Sequence, residues 1–306
     1  MTEILVISRW IHFAALFILF GASFFWIHMR LSAASGGDFP RSFRATLLLL
    51  RIAVAAAIPS GLAWLAASIA NMTGGFENVV DPATLQAFFF ETQFGPVTML
   101  RLALFAAAAA VAVLRLPNRV RLFAFAAVAA LLLVDQAWLG HAAEGGATAY
   151  GALMIVVYAT HMLAGASWVG GLVPLFLTLL ETRRFDPRER RELSLALLSR
   201  FSLMGLCAVT LVLVSGAGNV AFHAVSPSKL AKSGYGEVLF AKLCLVVGML
   251  TLAYFNRFVA MPRLAALPPK GAAHIGRLRA SVGLELALGM FVVGLAALLG
   301  ITPPPQ

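Results

Sequence analysis

The sequence contains few charged residues and few cysteines. Only 12% of its 306 residues are charged, whereas 61% are hydrophobic and the mean hydropathy is +0.90. Soluble domains are typically about 25% charged and about 45–50% apolar, so this composition excludes one water-soluble core and predicts an integral membrane protein. Cys207 and Cys244 both lie inside apolar runs, which argues against a disulfide framework and against a cysteine-rich metal site.

Nucleotide-binding motifs are also missing. The chain has no GxxxxGK[ST] loop and no phosphorylated-aspartate motif of an ion pump, so ATP-driven transport is not expected. Acidic residues are fewer than basic ones. The chain has 13 Asp and Glu and 23 Lys and Arg, which gives a formal net charge of +10. In a membrane protein such an excess belongs to cytoplasmic loops, and it does not indicate nucleic-acid binding.

Long apolar runs are abundant instead. A membrane-spanning helix needs about 20 apolar residues. We expect the first run to be a retained membrane helix rather than a cleaved signal peptide, because Glu3 stands where a signal peptide carries Lys or Arg. The predicted fold class is all-α, a polytopic membrane protein with eight transmembrane helices. After the first helix, the other seven are expected near residues 44–70, 95–114, 121–141, 149–180, 193–222, 237–259 and 279–300.

Basic residues concentrate in alternate loops. The loops after the first, third, fifth and seventh predicted helices are rich in arginine, whereas the loops between them contain only Lys229 and Lys232. Lys and Arg mark cytoplasmic loops, so we predict that both termini are periplasmic and that residues 181–192 are cytosolic.

Short motifs recur in the same order in both halves of the chain. Four crossings return the chain to its starting side, so we predict two parallel four-helix repeats, residues 1–142 and 143–306, related by a two-fold axis along the membrane normal. The matches are His12 with His161, each followed nine residues later by glycine; Ser60-Gly61 with Ser215-Gly216; and FGPVTMLRLAL (94–104) with YGEVLFAKLCL (235–245), which aligns Arg101 with Lys242.

The two histidines are the first candidate ligands. In parallel repeats His12 and His161 lie at equal depth, roughly 12 Å below the outer surface. Ionisable groups inside a membrane usually mark a pathway or a site, so the pair is predicted to bind a metal or cofactor together. His141, in WLGHAAEGG at the outer mouth, is a third candidate, and Met162 offers a thioether that suits Cu(I). The alternative is that these residues are ordinary core or interfacial residues.

The charged residues inside the helices should pair. Asp135 shares the outer half with Arg9, Arg101 and Lys242, so we expect an ion pair there or a second-shell contact to a ligating histidine. Arg51 and Glu285 are expected to form a second pair between the second and eighth helices.

THMLAGASWVGGLVPL (160–175), preceded by GHAAEGG (140–146), resembles the CopD copper-resistance membrane protein family. RWIHFAALFILFG (9–21) is similar to the opening helix of that family, and residues 235–256 and 277–289 are similar to its closing helices. The resemblance implies a non-enzymatic protein of the bacterial inner membrane that binds copper ions and takes them up from the periplasm, beside a periplasmic CopC-like carrier. It points to His12, His141 and His161 as ligands, and to Trp168, Lys242, Asn256 and Glu285 as structural positions.

Two other classes of function stay open. Two opposed histidines at equal depth could ligate a b-type haem, with Arg101 or Lys242 near the propionates, in a membrane redox protein. A structural or assembly subunit would need no histidine inside the membrane.

Overall fold

The computed structural model describes residues 2–31, 39–139, 145–146, 148–222, 227–266 and 272–303. Within these ranges there is no β-strand, and eight helices are long and apolar enough to cross a membrane. The prediction of an eight-helix, all-α membrane protein is confirmed. The helices are α1 (Thr2–Leu31), α2 (Pro40–Thr73), α3 (Phe94–Val113), α4 (Asn118–Val134), α5 (Ala149–Glu181), α6 (Pro187–Phe222), α7 (Gly234–Phe255) and α8 (Ala272–Leu299).

Shorter segments extend or connect these helices. A 3-10 turn, Asp135–Leu139, continues α4. A π-helical turn, Asn256–Ala260, joins α7 to a short further helix, Met261–Ala266. The short helices Pro82–Glu91 and Pro227–Leu230 precede α3 and α7. We call the side of the bundle at which α1, α3, α5 and α7 begin the N-terminal face, and the other side the opposite face.

Helices α1 and α5 form the centre of the bundle. α1 packs against α2, α4, α5 and α8, and α5 packs against α1, α6 and α8. The two central helices touch at Gly21 and Gly170, where a Cβ on Gly21 would overlap the carbonyl oxygen of Ala166. A Cβ on Gly170 would likewise overlap the carbonyl oxygen of Phe17. Small residues allow such backbone contact between membrane helices, and here each glycine meets the residue four positions before the other.

The remaining contacts follow the order of the sequence motifs. α1 packs on α2 as α5 packs on α6, and α3 packs on α4 as α7 packs on α8. Gly95 and Gly236 share one environment, because a Cβ at either would overlap the carbonyl oxygen six residues earlier, that of Phe89 or Leu230. The division into the repeats 1–142 and 143–306 and the superposition of the two halves stay predictions.

Glu181 joins the end of α5 to the start of α2 at the opposite face. Phe39, the residue before α2, gives no side-chain cap to the helix. The Glu181 carboxylate instead accepts hydrogen bonds from the backbone N–H groups of Arg41 (3.1 Å) and Ser42 (2.7 Å) and from the Ser42 hydroxyl (2.7 Å). The end of α5 therefore satisfies the free donors at the start of α2, which is also the favourable end of the helix dipole for an anion.

Asp81 caps the start of a short helix at the N-terminal face. Its carboxylate accepts hydrogen bonds from the backbone N–H and the hydroxyl of Thr84, both at 2.9 Å, and so begins the helix Pro82–Glu91. These donors hold the pKa of the Asp81 carboxyl below its ordinary value.

The outside of the bundle is apolar. Large side chains such as Phe240, Val247 and Phe291 are exposed on the spanning helices. Exposed apolar surface of this extent is not found on soluble monomers, and it matches hydrocarbon as the surrounding medium.

Candidate functional site

His12 lies fully buried on α1, against α2. Its Nδ1 is 2.8 Å from the carbonyl oxygen of Ala57. A carbonyl oxygen only accepts, so Nδ1 carries the proton and donates it, which leaves the lone pair of a neutral ring on Nε2. Nε2 is buried and has no hydrogen-bond partner among the described residues. A buried polar atom without a partner is uncommon and marks a position where a ligand can bind.

An aromatic cage surrounds the His12 ring. Phe105 and Trp64 lie 5.6 and 5.9 Å from it between ring centroids, and Phe13 lies at 6.1 Å. Gly61 completes the cage, because an added Cβ would lie 2.5 Å from Phe105 Cζ and 2.9 Å from His12 Cε1. Only a residue without a side chain leaves room for the imidazole here.

His161 on α5 is only partly buried, and its ring has backbone contacts that correspond to those of His12. Its Nδ1 is 3.2 Å from the carbonyl oxygen of Val212 and 3.1 Å from the hydroxyl oxygen of Ser215, both on α6. Gly216 faces the ring, and an added Cβ would lie 3.3 Å from His161 Cε1. The carbonyl that the ring contacts lies four residues before the facing glycine in both halves, Ala57 before Gly61 and Val212 before Gly216.

Arg101 and Asp135 form a buried ion pair close to His12. Arg101 Nη2 pairs with one carboxylate oxygen, and its Nε lies 3.3 Å from the other. The same Nη2 donates to the carbonyl of Leu132 (3.1 Å) and to the amide oxygen of Gln136 (3.0 Å). The predicted pairing of Asp135 with a basic residue is confirmed, and among the described residues its carboxylate pairs with Arg101.

Trp64 is placed between two guanidinium groups. The Cζ atoms of Arg9 and Arg101 lie 5.1 and 5.0 Å from the Trp64 ring centre, within the range of a cation–π contact. Arg9 also donates to the carbonyl of Gly300 at the end of α8, at 3.1 Å. Two cations with one carboxylate leave excess positive charge beside His12.

A cavity of about 140 Å³ extends from the N-terminal face toward this site. Gly61, Trp64, Arg101 and Phe105 line its inner part, and Met72 on α2 lies closer to the N-terminal face. The cavity is large enough for a metal ion with water molecules and ends next to the residues that enclose His12.

The other predicted ligands have separate outcomes. Met162 is buried in the hydrophobic core, and adjacent helical residues point in different directions, so it does not share the face of His161. His141 lies outside the described residues. In the described part of the chain, no contact joins His12 to His161, and no three His, Cys, Asp or Glu residues form a group that could hold a metal. Joint metal binding by the two histidines stays a prediction.

The predicted Arg51–Glu285 ion pair is wrong. Arg51 is exposed, whereas Glu285 is buried and accepts a hydrogen bond from Trp168 Nε1 on α5 at 2.8 Å. The two residues lie at similar depth but on different sides of the bundle, which depth alone does not reveal.

Sequence reasoning also missed the groups that orient His12. The acceptor is a backbone carbonyl, which has no signature in the sequence. The Ser-Gly pairs were the available signal, because they recur at matching positions where each imidazole packs.

Comparison with known proteins assigns the chain to a family. Residues 1–152 match the family model described as copper resistance protein D-like, N-terminal domain, and residues 195–299 match copper resistance protein D. Over 302 residues the chain is 30% identical to the inner membrane protein YebZ of Escherichia coli (strain K12), and the match covers 97% of both chains. The chain belongs to the copper resistance protein D family.

Two further relatives agree with this copper resistance protein D assignment. The chain is 30% identical over 221 residues to copper resistance protein D of Pseudomonas syringae pv. tomato, covering 70% of each chain. It is 31% identical over 189 residues to the copper transport protein CutJ of Bacillus subtilis (strain 168), covering 60% of this chain and 34% of that protein. No solved structure matches. The predicted resemblance is confirmed, and none of these three names refers to haem.

Proposed function

We propose that this protein moves copper ions across the inner membrane from the periplasm toward the cytoplasm. The names of two relatives, a copper resistance protein and a copper transport protein, support copper as the transported ion. The distribution of Lys and Arg supports a periplasmic N-terminal face, with both termini on that side. The protein acts as a carrier of the ion rather than as an enzyme.

The buried, unpartnered Nε2 of His12 is the observation that carries this proposal. Imidazole is a good ligand for copper in either oxidation state, whereas the oxygen ligands that bind Ca²⁺ or Mg²⁺ are scarce in these helices. A metal-binding histidine usually donates its other N–H to a carbonyl or carboxylate, which fixes the ring and its tautomer. The contact from His12 Nδ1 to Ala57 has this form.

His161 is proposed as the second copper ligand. Its Nδ1 faces the carbonyl of Val212, and donation of the Nδ1 proton there would leave the lone pair of a neutral ring on Nε2 for copper. Met162, whose side chain lies in the hydrophobic core, stays a predicted thioether ligand for Cu(I). His141 is proposed as the loading ligand at the outer mouth, where a periplasmic CopC-like carrier would deliver the ion.

The positive surroundings of His12 favour passage over storage. Arg9 and Arg101 flank Trp64 beside the ring, and Asp135 balances one of them. Like charges at short range in a low dielectric repel strongly, so a copper ion at His12 is held less tightly than by imidazole alone. Weak retention suits a transport intermediate, from which the ion must leave.

Copper content and copper uptake test the assignment. We expect His12→Ala and His161→Ala each to lose most of the copper bound by purified protein and most uptake of radioactive copper into vesicles, with near-normal expression. His274→Ala is the matched control, because His274 lies at the start of α8, away from both histidines. His141→Ala should slow loading more than it reduces the amount bound. Wild-type copper content in the His12→Ala, His161→Ala double variant would refute the assignment.

A further inference from the structure

A second, larger cavity lies in the half of the bundle nearer the opposite face. It has a volume of about 350 Å³ and is bounded by residues of α5, α6, α8 and the end of α7. Its rim includes Leu206, Tyr254 and Phe258, whose side chains are exposed on the apolar outside of the bundle. The cavity therefore opens sideways, toward hydrocarbon, and an occupant would enter from the bilayer.

Two buried oxygen-bearing side chains line the inside of this cavity. Glu285 is 4% exposed, and Asn256 is 7% exposed. Glu285 accepts one hydrogen bond, from Trp168, and no cation in the described part of the chain forms an ion pair with it. The Asn256 Oδ1 has no hydrogen-bond partner among the residues that the structure describes. A buried polar group without a partner costs free energy, so both residues call for a ligand that donates hydrogen bonds.

The backbone at Asn256 is irregular in the same place. Residues Asn256–Ala260 form a π-helical turn. This conformation is rare in proteins overall, and where it occurs it is often found at functional sites. This turn brings Arg257 to the cavity as well, where its Nη1 donates to the Ser202 hydroxyl at 2.6 Å. Arg257 therefore hydrogen-bonds to α6. The acceptors that an occupant of the cavity would contact are Glu285 and Asn256.

We propose that this cavity binds a lipid-soluble hydroquinone, a flat aromatic ring with two hydroxyl donors and an apolar tail. The hydroxyl groups would donate to Glu285 and to Asn256 Oδ1, and the ring would lie among Trp168, Phe201 and Phe258, which supply aromatic surface. A volume of this size accommodates one substituted ring and the start of its tail. The proposal concerns binding alone and goes beyond copper transport, on which it does not depend.

Gly205 permits a sharp test. It lines the cavity, and no atom lies within 4 Å of a Cβ added there, so a leucine at this position can begin without a clash and is expected to extend into the cavity. Gly276 on α8 is equally open and does not line the cavity. Gly205→Leu and Gly276→Leu are therefore a matched pair, which differ in whether the new side chain occupies the proposed site.

The experiment measures binding of radiolabelled decyl-hydroquinone, kept reduced with ascorbate, to the full-length protein in nanodiscs. We expect saturable binding of one molecule per chain, at least tenfold weaker in Gly205→Leu and in Glu285→Gln and unchanged in Gly276→Leu. The oxidised decyl-quinone has acceptors and no donors, so it should bind at least tenfold more weakly than the hydroquinone.

Three results would overturn the proposal. Wild-type affinity in Gly205→Leu would place the probe elsewhere, and equal affinity for the two oxidation states would contradict the requirement for donors. A lack of saturable binding, with a phospholipid retained by the wild type and lost from Gly205→Leu in native mass spectrometry, would assign the cavity to a structural lipid.

Discussion

Substitution of Gly61 by alanine should disturb the His12 site. The new Cβ would lie 2.5 Å from Phe105 Cζ, 2.9 Å from His12 Cε1 and 3.0 Å from His12 Nδ1. Real Cβ atoms essentially never approach other atoms so closely, and the imidazole is held by its hydrogen bond to Ala57. The ring or α2 must therefore move.

Two opposing contributions set the magnitude. Alanine in place of glycine favours a helix by about 0.8–1.0 kcal/mol. Overpacking of a well-filled core costs about 1–3 kcal/mol, and displacement of the ring from Ala57 adds the cost of a lost buried hydrogen bond, about 1–3 kcal/mol. The clash outweighs the helix contribution, so we expect Gly61→Ala to lower the free energy of unfolding by about 1–5 kcal/mol and to reduce bound copper.

The other half of the chain supplies the matched comparison. At Gly216 the corresponding Cβ would lie 3.3 Å from His161 Cε1 and 3.6 Å from Nδ1, which small shifts accommodate. Gly216→Ala should therefore remain within about 1 kcal/mol of the wild type, because the mild contact and the helix term nearly cancel.

Thermal unfolding of the purified variants in detergent, with copper content measured on the same samples, tests this reasoning. A Gly61→Ala protein as stable as Gly216→Ala and with full copper content would show that the His12 cage is not tightly packed, and would refute the argument.

Three further predictions follow from the same contacts. Arg101→Met should lower stability by about 3–5 kcal/mol, because it leaves the buried Asp135 carboxylate without its cation, and Asp135→Leu in addition should recover much of that loss in thermal unfolding. Glu181→Ala should cost about 1–2 kcal/mol by freeing the donors at the start of α2, whereas removal of the exposed Glu192 should change stability by less than about 1 kcal/mol. A reporter fused at residue 186 should be cytosolic, and a periplasmic signal there would overturn the predicted topology and with it the placement of the histidines in the outer half of the membrane.

The membrane-spanning helices and one ion pair could be predicted from the sequence, because hydrocarbon imposes strict physical requirements on both. Hydrocarbon requires long apolar helices, so eight such runs predicted the eight spans. Hydrocarbon also makes an unpaired charge costly, so Asp135 was expected to pair with a cation. Arg101 was one of the basic residues predicted at the same depth, and it forms the pair.

Depth in the membrane does not determine the direction in which a side chain points. The side-chain contacts other than the Arg101–Asp135 pair were therefore not predictable from the sequence. Arg51 was matched to Glu285 by depth, yet it lies on the exposed side of α2, and Glu285 bonds Trp168. The partner of His12 is the carbonyl of Ala57, and every residue has a carbonyl, so no pattern in the sequence marks it.

The contact between Gly21 and Gly170 restricts how the two halves can diverge in evolution. A side chain that clashes can be relieved by a smaller one opposite, so most core positions tolerate paired changes. Here each glycine faces the backbone of the other helix, the carbonyl of Ala166 or of Phe17, and no mutation removes a backbone carbonyl. A substitution at either glycine has no compensating partner, so the crossing should stay constant while the loops and the lipid-facing surface drift.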